Sequence, residues 1–345
     1  MNDKNNSLHW FETPGGRAGL TALLILLPVL IALIAICLGR YQLSLPQVVA
    51  SLLAGPQSAQ TSNDALVVWS MRLPRILLAL LVGAGLSAAG AAFQSLFANP
   101  LATPDTLGVA SGASFGAVLG LLWGCNLIAV QLLALVFGFG AVALTYLAGV
   151  KRGGSGMIGV VLAGIIIGSL FNALISLVKY VADVETQLPS ITYWLMGSLT
   201  SASYKTLLLG APFIVAGCLL LFLLRWRINI LPLTDDEARA TGTNLLLLRL
   251  LTTAGATIVT ASAVSMCGQV GWVGLLIPHI CRMLVGSNNK VLIPTAISLG
   301  AVFMVLIDTL ARTLTAAEIP VSILTAIIGA PVFIYLLRRT GGWQL

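Results

Sequence analysis

The chain has 345 residues, 58% of them hydrophobic and only 8% charged, with a mean hydropathy of +1.00. Soluble domains carry about 25% charged residues, so the composition excludes a globular soluble protein and points to a chain that resides in a bilayer. The formal net charge of +7 would suggest nucleic acid in a soluble protein, but the basic residues sit in short loops between apolar runs, where membrane topology explains them.

Residues 1–18 are of mixed polarity and precede a first apolar run that ends Cys37-Leu38-Gly39-Arg40, with no Ala-x-Ala cleavage site, so the first span is expected to stay in the protein. The most informative stretch comes next. Arg72-Leu73-Pro74-Arg75 opens an uncharged run to Ala98, Asn99-Pro100-Leu101-Ala102 follows, and a second apolar run covers Gly108 to Gly120. Roughly 20 apolar residues match the hydrocarbon thickness, and the Asn-Pro turn reverses the chain where the backbone can meet water again. The pattern predicts a membrane hairpin.

Hydropathy over the whole chain predicts ten spans, at about 19–38, 73–98, 108–126, 128–150, 157–180, 204–224, 247–266, 268–286, 291–311 and 320–337. The expected fold is all-α: a single polytopic transmembrane domain over 1–345, with 1–18 as a cytoplasmic segment and 225–247 as a cytoplasmic loop. On one side lie Lys4, Arg17, Lys151, Arg152, Arg225, Arg227, Arg239, Arg249, Arg282, Lys290, Arg338 and Arg339. On the other lie Arg40, Arg72, Arg75, Lys179, Lys205 and Arg312. The basic excess on the first side places both termini in the cytoplasm.

Small residues recur every fourth position, as Gly112, Gly116 and Gly120, as Gly164 and Gly168, and as Gly83, Ser87 and Ala91. Helices in lipid need such ridges to approach closely, so a compact bundle is expected, and the same ridges would let helices slide in a transporter. Cys37, Cys125, Cys218, Cys267 and Cys281 are scattered through apolar segments without Cys-x-x-Cys spacing and read as packing residues. His9 and His279 are too few and too far apart for a metal cluster, and His279 reads as a polar residue packed on a proline-bent helix.

The long interruption after Arg225-Trp226-Arg227 contains a helix signature. Thr234 is a good N-cap, Glu237 closes a capping box, Asp235 and Asp236 suit the positive end of the helix dipole, and Gly242 supplies a stop after Ala238, Arg239 and Ala240. A two-turn helix is marginal alone and needs something to pack on. It is either a connector or a docking helix for a soluble partner. No Gly-x-x-x-x-Gly-Lys-Ser/Thr loop is present, and Gly153-Gly154-Ser155-Gly156 lacks the lysine, so an ATP-driven role requires a separate ATPase. Asp308 has Arg312 one helical turn on and is expected to pair with it, Asp105 falls in the Asn-Pro loop and Glu318 in a loop on the other side. This sparseness weakens an ion-coupled carrier.

Taken together, these residues resemble the permeases of type II ABC importers, the family that takes up ferric siderophores, vitamin B12 and haem. The resemblance is carried by Arg72-Leu73-Pro74-Arg75, by Asn99-Pro100-Leu101-Ala102 with Leu107-Gly108-Val109 and Gly112-Ala113, and by the Gly242-containing helix. It continues through Gly274-Leu275-Leu276-Ile277-Pro278-His279-Ile280-Cys281-Arg282, Asp308-Thr309-Leu310-Ala311-Arg312, Glu318-Ile319-Pro320 and Gly329-Ala330-Pro331-Val332-Phe333. These elements run in family order over about residues 20 to 339.

The resemblance implies a ten-helix permease in a bacterial inner membrane, paired with a second copy or a paralogue, with two cytoplasmic ATPases and a periplasmic or lipid-anchored binding protein. No cofactor is expected on this chain, ATP and magnesium being bound by the ATPases, and no metal or nucleic acid. By the same resemblance Arg72, Arg75 and Arg312 meet glutamates of the binding protein, the alternative for Arg72 and Arg75 being snorkelling at a helix start. The segment Thr234, Asp235, Asp236, Glu237, Ala238, Arg239, Ala240 and Gly242 is the coupling element on the ATPase, and the fifth and tenth spans line the path. Gly153, Gly154, Ser155 and Gly156, joining the fourth and fifth spans, are expected to hinge as part of a cytoplasmic gate. Ferric siderophore is the base-rate cargo ahead of cobalamin, haem or molybdate, and the alternatives in other classes are an ion-gradient-coupled secondary transporter and a membrane scaffold.

Overall fold

The computed structural model describes residues 14–149, 157–315 and 317–339, and among these there are helices and no strand. In chain order they are α1 (Pro14–Cys37), α2 (Leu45–Ala54), α3 (Asn63–Leu66), α4 (Leu73–Leu96), α5 (Val109–Leu122), α6 (Leu127–Gly149) and α7 (Met157–Val181). Then follow α8 (Gln187–Leu195), α9 (Tyr204–Leu224), α10 (Asp235–Ala240), α11 (Leu245–Cys267), α12 (Val273–Val285), α13 (Asn289–Thr313) and α14 (Val321–Arg339). The all-α polytopic architecture is as expected, and every predicted span falls on a helix.

Not every span is full length. Seven described helical runs are long and apolar enough to cross a membrane, the second being Asn63–Leu96 through α3 and α4, whereas Val109–Leu122, Val273–Val285 and Val321–Leu336 are shorter apolar helices. The predicted spans 108–126 and 268–286 ran through breaks that hydropathy does not register. Gly124 adopts φ +63 before α6, and Gly268 adopts φ +73 between α11 and α12. The stretch between the first two spans, featureless by hydropathy, folds into α2, α3 and a wide π turn over Val67–Arg72 that runs into α4.

The Asn-Pro turn does reverse the chain. Ala98, at φ +47, closes α4, the Asn99 amide reaches back to the Gln94 carbonyl at 3.0 Å, and the Asn99 side chain accepts from Leu101 N at 2.9 Å.

The small-residue ridges are packing seams. Gly112 lies against Phe137 and Ala141 of α6, and Gly116 against Leu133 and Ala134. Gly164 of α7 meets Thr106 and Leu107, and Gly217 of α9 meets Gly255 and Val259 of α11. Another close seam joins α4 and α13, where Gly83 faces Gly300 and Met304, and Gly300 faces Ser87. Helix α4 is consequently enclosed, with Val82, Ala88, Ala89, Ala91, Ala92 and Phe93 fully buried. Helix α1 is the opposite case, exposing Leu23, Ile25, Leu26, Val29 and Leu30 as a lipid-facing surface.

Prolines inside helices free carbonyls that lipid cannot satisfy, and at two of them a side chain of a neighbouring helix takes the carbonyl up. Pro28 of α1 leaves the Leu24 carbonyl without its donor, and Ser298 of α13 donates to it at 2.7 Å. Pro278 of α12 does the same to Gly274, to which buried Gln94 of α4 donates at 3.3 Å. Arg282 holds the Gln94 side-chain oxygen, which turns the amide nitrogen toward that carbonyl. Arg282, counted by sequence among the basic residues of the cytoplasmic side, is thus hydrogen-bonded within the bundle.

A methyl group on Gly300 or Gly83 would run into the backbone or side chains opposite, whereas one on Gly140 meets nothing within 4 Å. Gly300→Ala is expected to destabilise the chain by about 1–3 kcal/mol and Gly140→Ala to leave it unchanged, read as the unfolding midpoint in detergent or lipid.

Candidate functional site

The chain presents functional groups at two ends of the bundle. Helix α4 runs from an arginine-rich end to the end that carries α10, and α13 runs back.

At the α10 end the predicted capping box is formed. The Thr234 amide donates to Glu237 Oε2 at 3.0 Å, and the Thr234 hydroxyl accepts from the Glu237 amide at 3.4 Å. The Thr234 hydroxyl also bonds the Glu237 carboxylate at 2.8 Å, and these hydrogen bonds hold that carboxyl below its ordinary value. Gly242 at φ +73 returns its amide to the Arg239 carbonyl at 2.9 Å and stops the helix. Asp235 bonds Arg249 of α11 at 2.8 Å, tying α10 to the bundle.

Asp236, Glu237, Arg239 and Ala240 are exposed. Ala238 is not: it is fully buried in the chain's own core. It packs α10 onto the bundle, so the free face of the helix is that of the other four residues. The expected gate residues Gly153, Gly154, Ser155 and Gly156 lie outside the described residues. At their flanks Gly149 of α6 and Gly159 of α7 pass closely.

At the arginine end, Arg72, Arg75 and Arg312 come together but point into the protein. Arg72 donates to the carbonyls of Ile36 and Cys37, the last of α1, and to that of Tyr41. Arg312 donates to the Ala35 carbonyl. Both cations therefore cap the C-terminal end of α1, satisfying carbonyls that have no intrahelical donor and complementing the helix dipole. Arg75 bonds Asp308 at 2.8 Å through Nε and Glu318 at 2.7 Å through Nη1. The expected Asp308–Arg312 pair exists at 3.7 Å, but Arg75 is the nearer partner.

Asp308 is 1% exposed, Arg72 5% and Arg312 8%, while the Glu318 side chain retains 28%. Each of the three guanidiniums has acceptors within the chain. The backbone acceptors of Arg72 and Arg312, at Ile36, Cys37, Tyr41 and Ala35, are distant in sequence and nothing beside the arginines signals them.

His279 packs as anticipated, its ring edge-to-face with Phe333 of α14 at 5.4 Å. Asp105 sits on a 3-10 turn, with Ser111 donating at 3.5 Å, beside a cavity of about 290 Å³ lined also by Thr103, Gln269 and Trp272. Sequence reasoning missed a polar cluster at the α10 end formed by Asn229, Asn288, Asn289 and Ser95. Its only sequence signal was Asn288 as an N-cap before an apolar run.

The chain matches the FecCD transport family over residues 24–339. It is 43% identical over 323 residues to the molybdate import system permease MolB of Haemophilus influenzae, covering 92% of this chain and 96% of that one. It is 38% identical over 285 residues to a probable iron chelatin transport system permease of Helicobacter pylori, covering 82% and 86%. Among solved structures, a metal-chelate type ABC transporter in an inward-facing conformation superposes with a TM-score of 0.84 at 40% identity, covering 94% of this chain and 99% of that one.

Removing one partner of a buried ion pair strands the other charge. Arg75→Met is expected to cost about 3–5 kcal/mol, because Asp308 loses its nearest cation, and Glu318→Gln about 1 kcal/mol or less, because Glu318 keeps solvent access. Thermal unfolding of the two variants in detergent checks the ordering.

Proposed function

Since this chain belongs to the FecCD transport family, we propose that its α10 end receives a cytoplasmic ATPase and its arginine end a substrate-binding protein. The chain is a multi-pass membrane protein and the permease subunit of an ABC importer. The ion-coupled carrier is set aside with that assignment. Asp308, the carboxylate within α13, is held by two arginines and is not poised to shuttle protons.

The observation that carries the proposal is α10 itself. A capped helix of two turns, bolted to α11 by Asp235–Arg249 and packed through Ala238, offers Asp236, Glu237, Arg239 and Ala240 to solution. A connector between α9 and α11 needs neither the cap nor the bolt. Force applied to a helix held this way moves the bundle rather than the loop. The Lys and Arg excess supports a cytoplasmic location for the α10 end and both termini, and membership of the family supports a bacterial inner membrane. A second copy or a paralogue completes the path, two ATPase subunits hydrolyse ATP, and α7 and α14 line the opening.

At the arginine end, a binding protein's acids must compete with the carboxylates already present. Arg75 is the accessible contact, because its outer partner Glu318 lies on the loop leading into α14 and is partly exposed. Arg72 and Arg312 support that contact by fixing α1. The cargo is a metal-containing complex. Among the relatives named above, the molybdate permease shows higher identity and coverage than the iron chelatin permease, so molybdate and ferric siderophore are the two cargoes to test, in that order.

The purified chain is expected to show no nucleotide turnover. Ala240→Trp places an indole on the exposed face and is expected to weaken ATPase capture by about 1–3 kcal/mol through overpacking at a tight groove, with the unfolding midpoint unchanged. Ala238→Trp, aimed into the core, is expected to lower that midpoint instead. Copurification of Ala240→Trp with the ATPase at wild-type yield and transport rate contradicts the assignment of α10.

A further inference from the structure

The exposed face of α10 says where a partner sits, but not how its motion reaches the transmembrane helices. The segment between α9 and α10 makes a second set of contacts that bears on this. Asn229 stands on the 3-10 turn Arg227–Ile230. Its side-chain oxygen accepts from the Asn289 backbone amide at 2.8 Å and from the Asn289 side-chain amide at 3.0 Å, and its own nitrogen donates to Asn288 Oδ1 at 3.0 Å. A backbone N–H can only donate, so the atom of Asn229 facing it is the oxygen, which fixes the orientation of the whole cluster.

Asn289 is 2% exposed, and its oxygen accepts from the Ser95 hydroxyl of α4 at 3.1 Å. One residue further on, the Lys290 ammonium lies 3.9 Å over the Trp226 ring. Capping of α13 explains only part of this. Asn288 already caps the helix by accepting from Lys290 N at 3.0 Å. Asn229 adds a bond to the first amide of α13, that of Asn289, and through Asn289 a continuous link to α4.

The two helices so joined are those that meet at Gly83 and Gly300 in the middle of the bundle and at Arg75 and Asp308 at its far end. Helix α13 is 25 residues long, about 37 Å at 1.5 Å per residue. The clasp thus connects the turn that leads into α10 with a pair of helices fastened along their length.

We propose that Asn229 is a positioning residue for transport: it delivers movement of the α10 segment to the α4–α13 pair, while Asp235–Arg249 delivers it to α11. The proposal rests on the reading of α10 as the ATPase contact. It distinguishes Asn229, which touches neither nucleotide nor cargo, from the exposed residues that touch the ATPase.

The test uses the full transporter in proteoliposomes: this chain with its ATPase and binding protein, supplied with molybdate and, separately, with a ferric siderophore. The readout is ATP turnover with binding protein present divided by turnover without it. Asn229→Ala removes all three bonds and is expected to lower that ratio about fivefold or more, the range typical of coupling between sites. Asn229→Asp keeps the acceptor used by both Asn289 donors but sets a second oxygen against Asn288 Oδ1, and is expected to lose clearly less of the ratio than Asn229→Ala. A purely structural role predicts a lowered unfolding midpoint with the ratio intact. A wild-type ratio in Asn229→Ala, or equal loss in both variants, overturns the proposal. Where Asn229→Ala does not assemble, Ser95→Ala breaks the link to α4 alone: a reduced ratio supports the proposal and a wild-type ratio overturns it. If the wild-type chain captures no ATPase, the reading of α10 fails first, and visibly so.

Discussion

Where α4 crosses α13, Gly83 and Gly300 bring two backbones closer than any side chain would allow, and the rest of the bundle is arranged around that contact. Apolar burial supplies little drive between helices in lipid, so association depends on close van der Waals contact and on hydrogen bonds made where water is absent. The Gly83–Gly300 crossing provides the first. Arg75–Asp308 at one end and Ser95–Asn289 at the other provide the second. With three points fixed, α4 becomes a central post on which α9, α11 and α12 also pack, through Gly85 and Gly90.

The same scarcity of water explains the placement of polar side chains that a hydropathy profile treats as blemishes. Ser298 and Gln94 each serve a carbonyl released by a proline one turn further along another helix. Arg72 and Arg312 serve the last carbonyls of α1, which otherwise touches the bundle with an almost wholly apolar surface. A guanidinium has five donors in a planar fork and so can bridge several carbonyls at once, a task for which lysine is poorly shaped. These hydrogen bonds tie the end of α1 to the turn that runs into α4 and to α13. Any contact of this end with a binding protein is made against a background of bonds already formed.

Features set by local chemistry were legible in the sequence. The capping box at Thr234 and Glu237, the reversal at Asn99-Pro100 and the four-residue glycine ridges need only residues a few positions apart, and all appear as read. Features set by distant partners were not legible. Arg75 meets Glu318 across 243 positions, and Arg312 meets Ala35 across 277. Charge and spacing say nothing of these long-range acceptors. Ala238 shows the same limit on a small scale, since a six-residue helix does not reveal in sequence which face it buries. The shortness of α5 and α12 was hidden because glycines at positive φ break a helix without lowering hydropathy.

A post fastened at three points implies that rearrangement in an importer takes place around α4 and α13 rather than between them. Hydrogen exchange of the intact chain in lipid nanodiscs, followed by mass spectrometry, tests that claim most directly, because amides that open only with the whole structure exchange last. The account predicts that peptides spanning Val82 to Ala92 and Ser298 to Ile307 exchange last and at matching rates, behind those of α1, α7 and α14. Unequal rates in the two, or exchange of either as fast as α14, would contradict it.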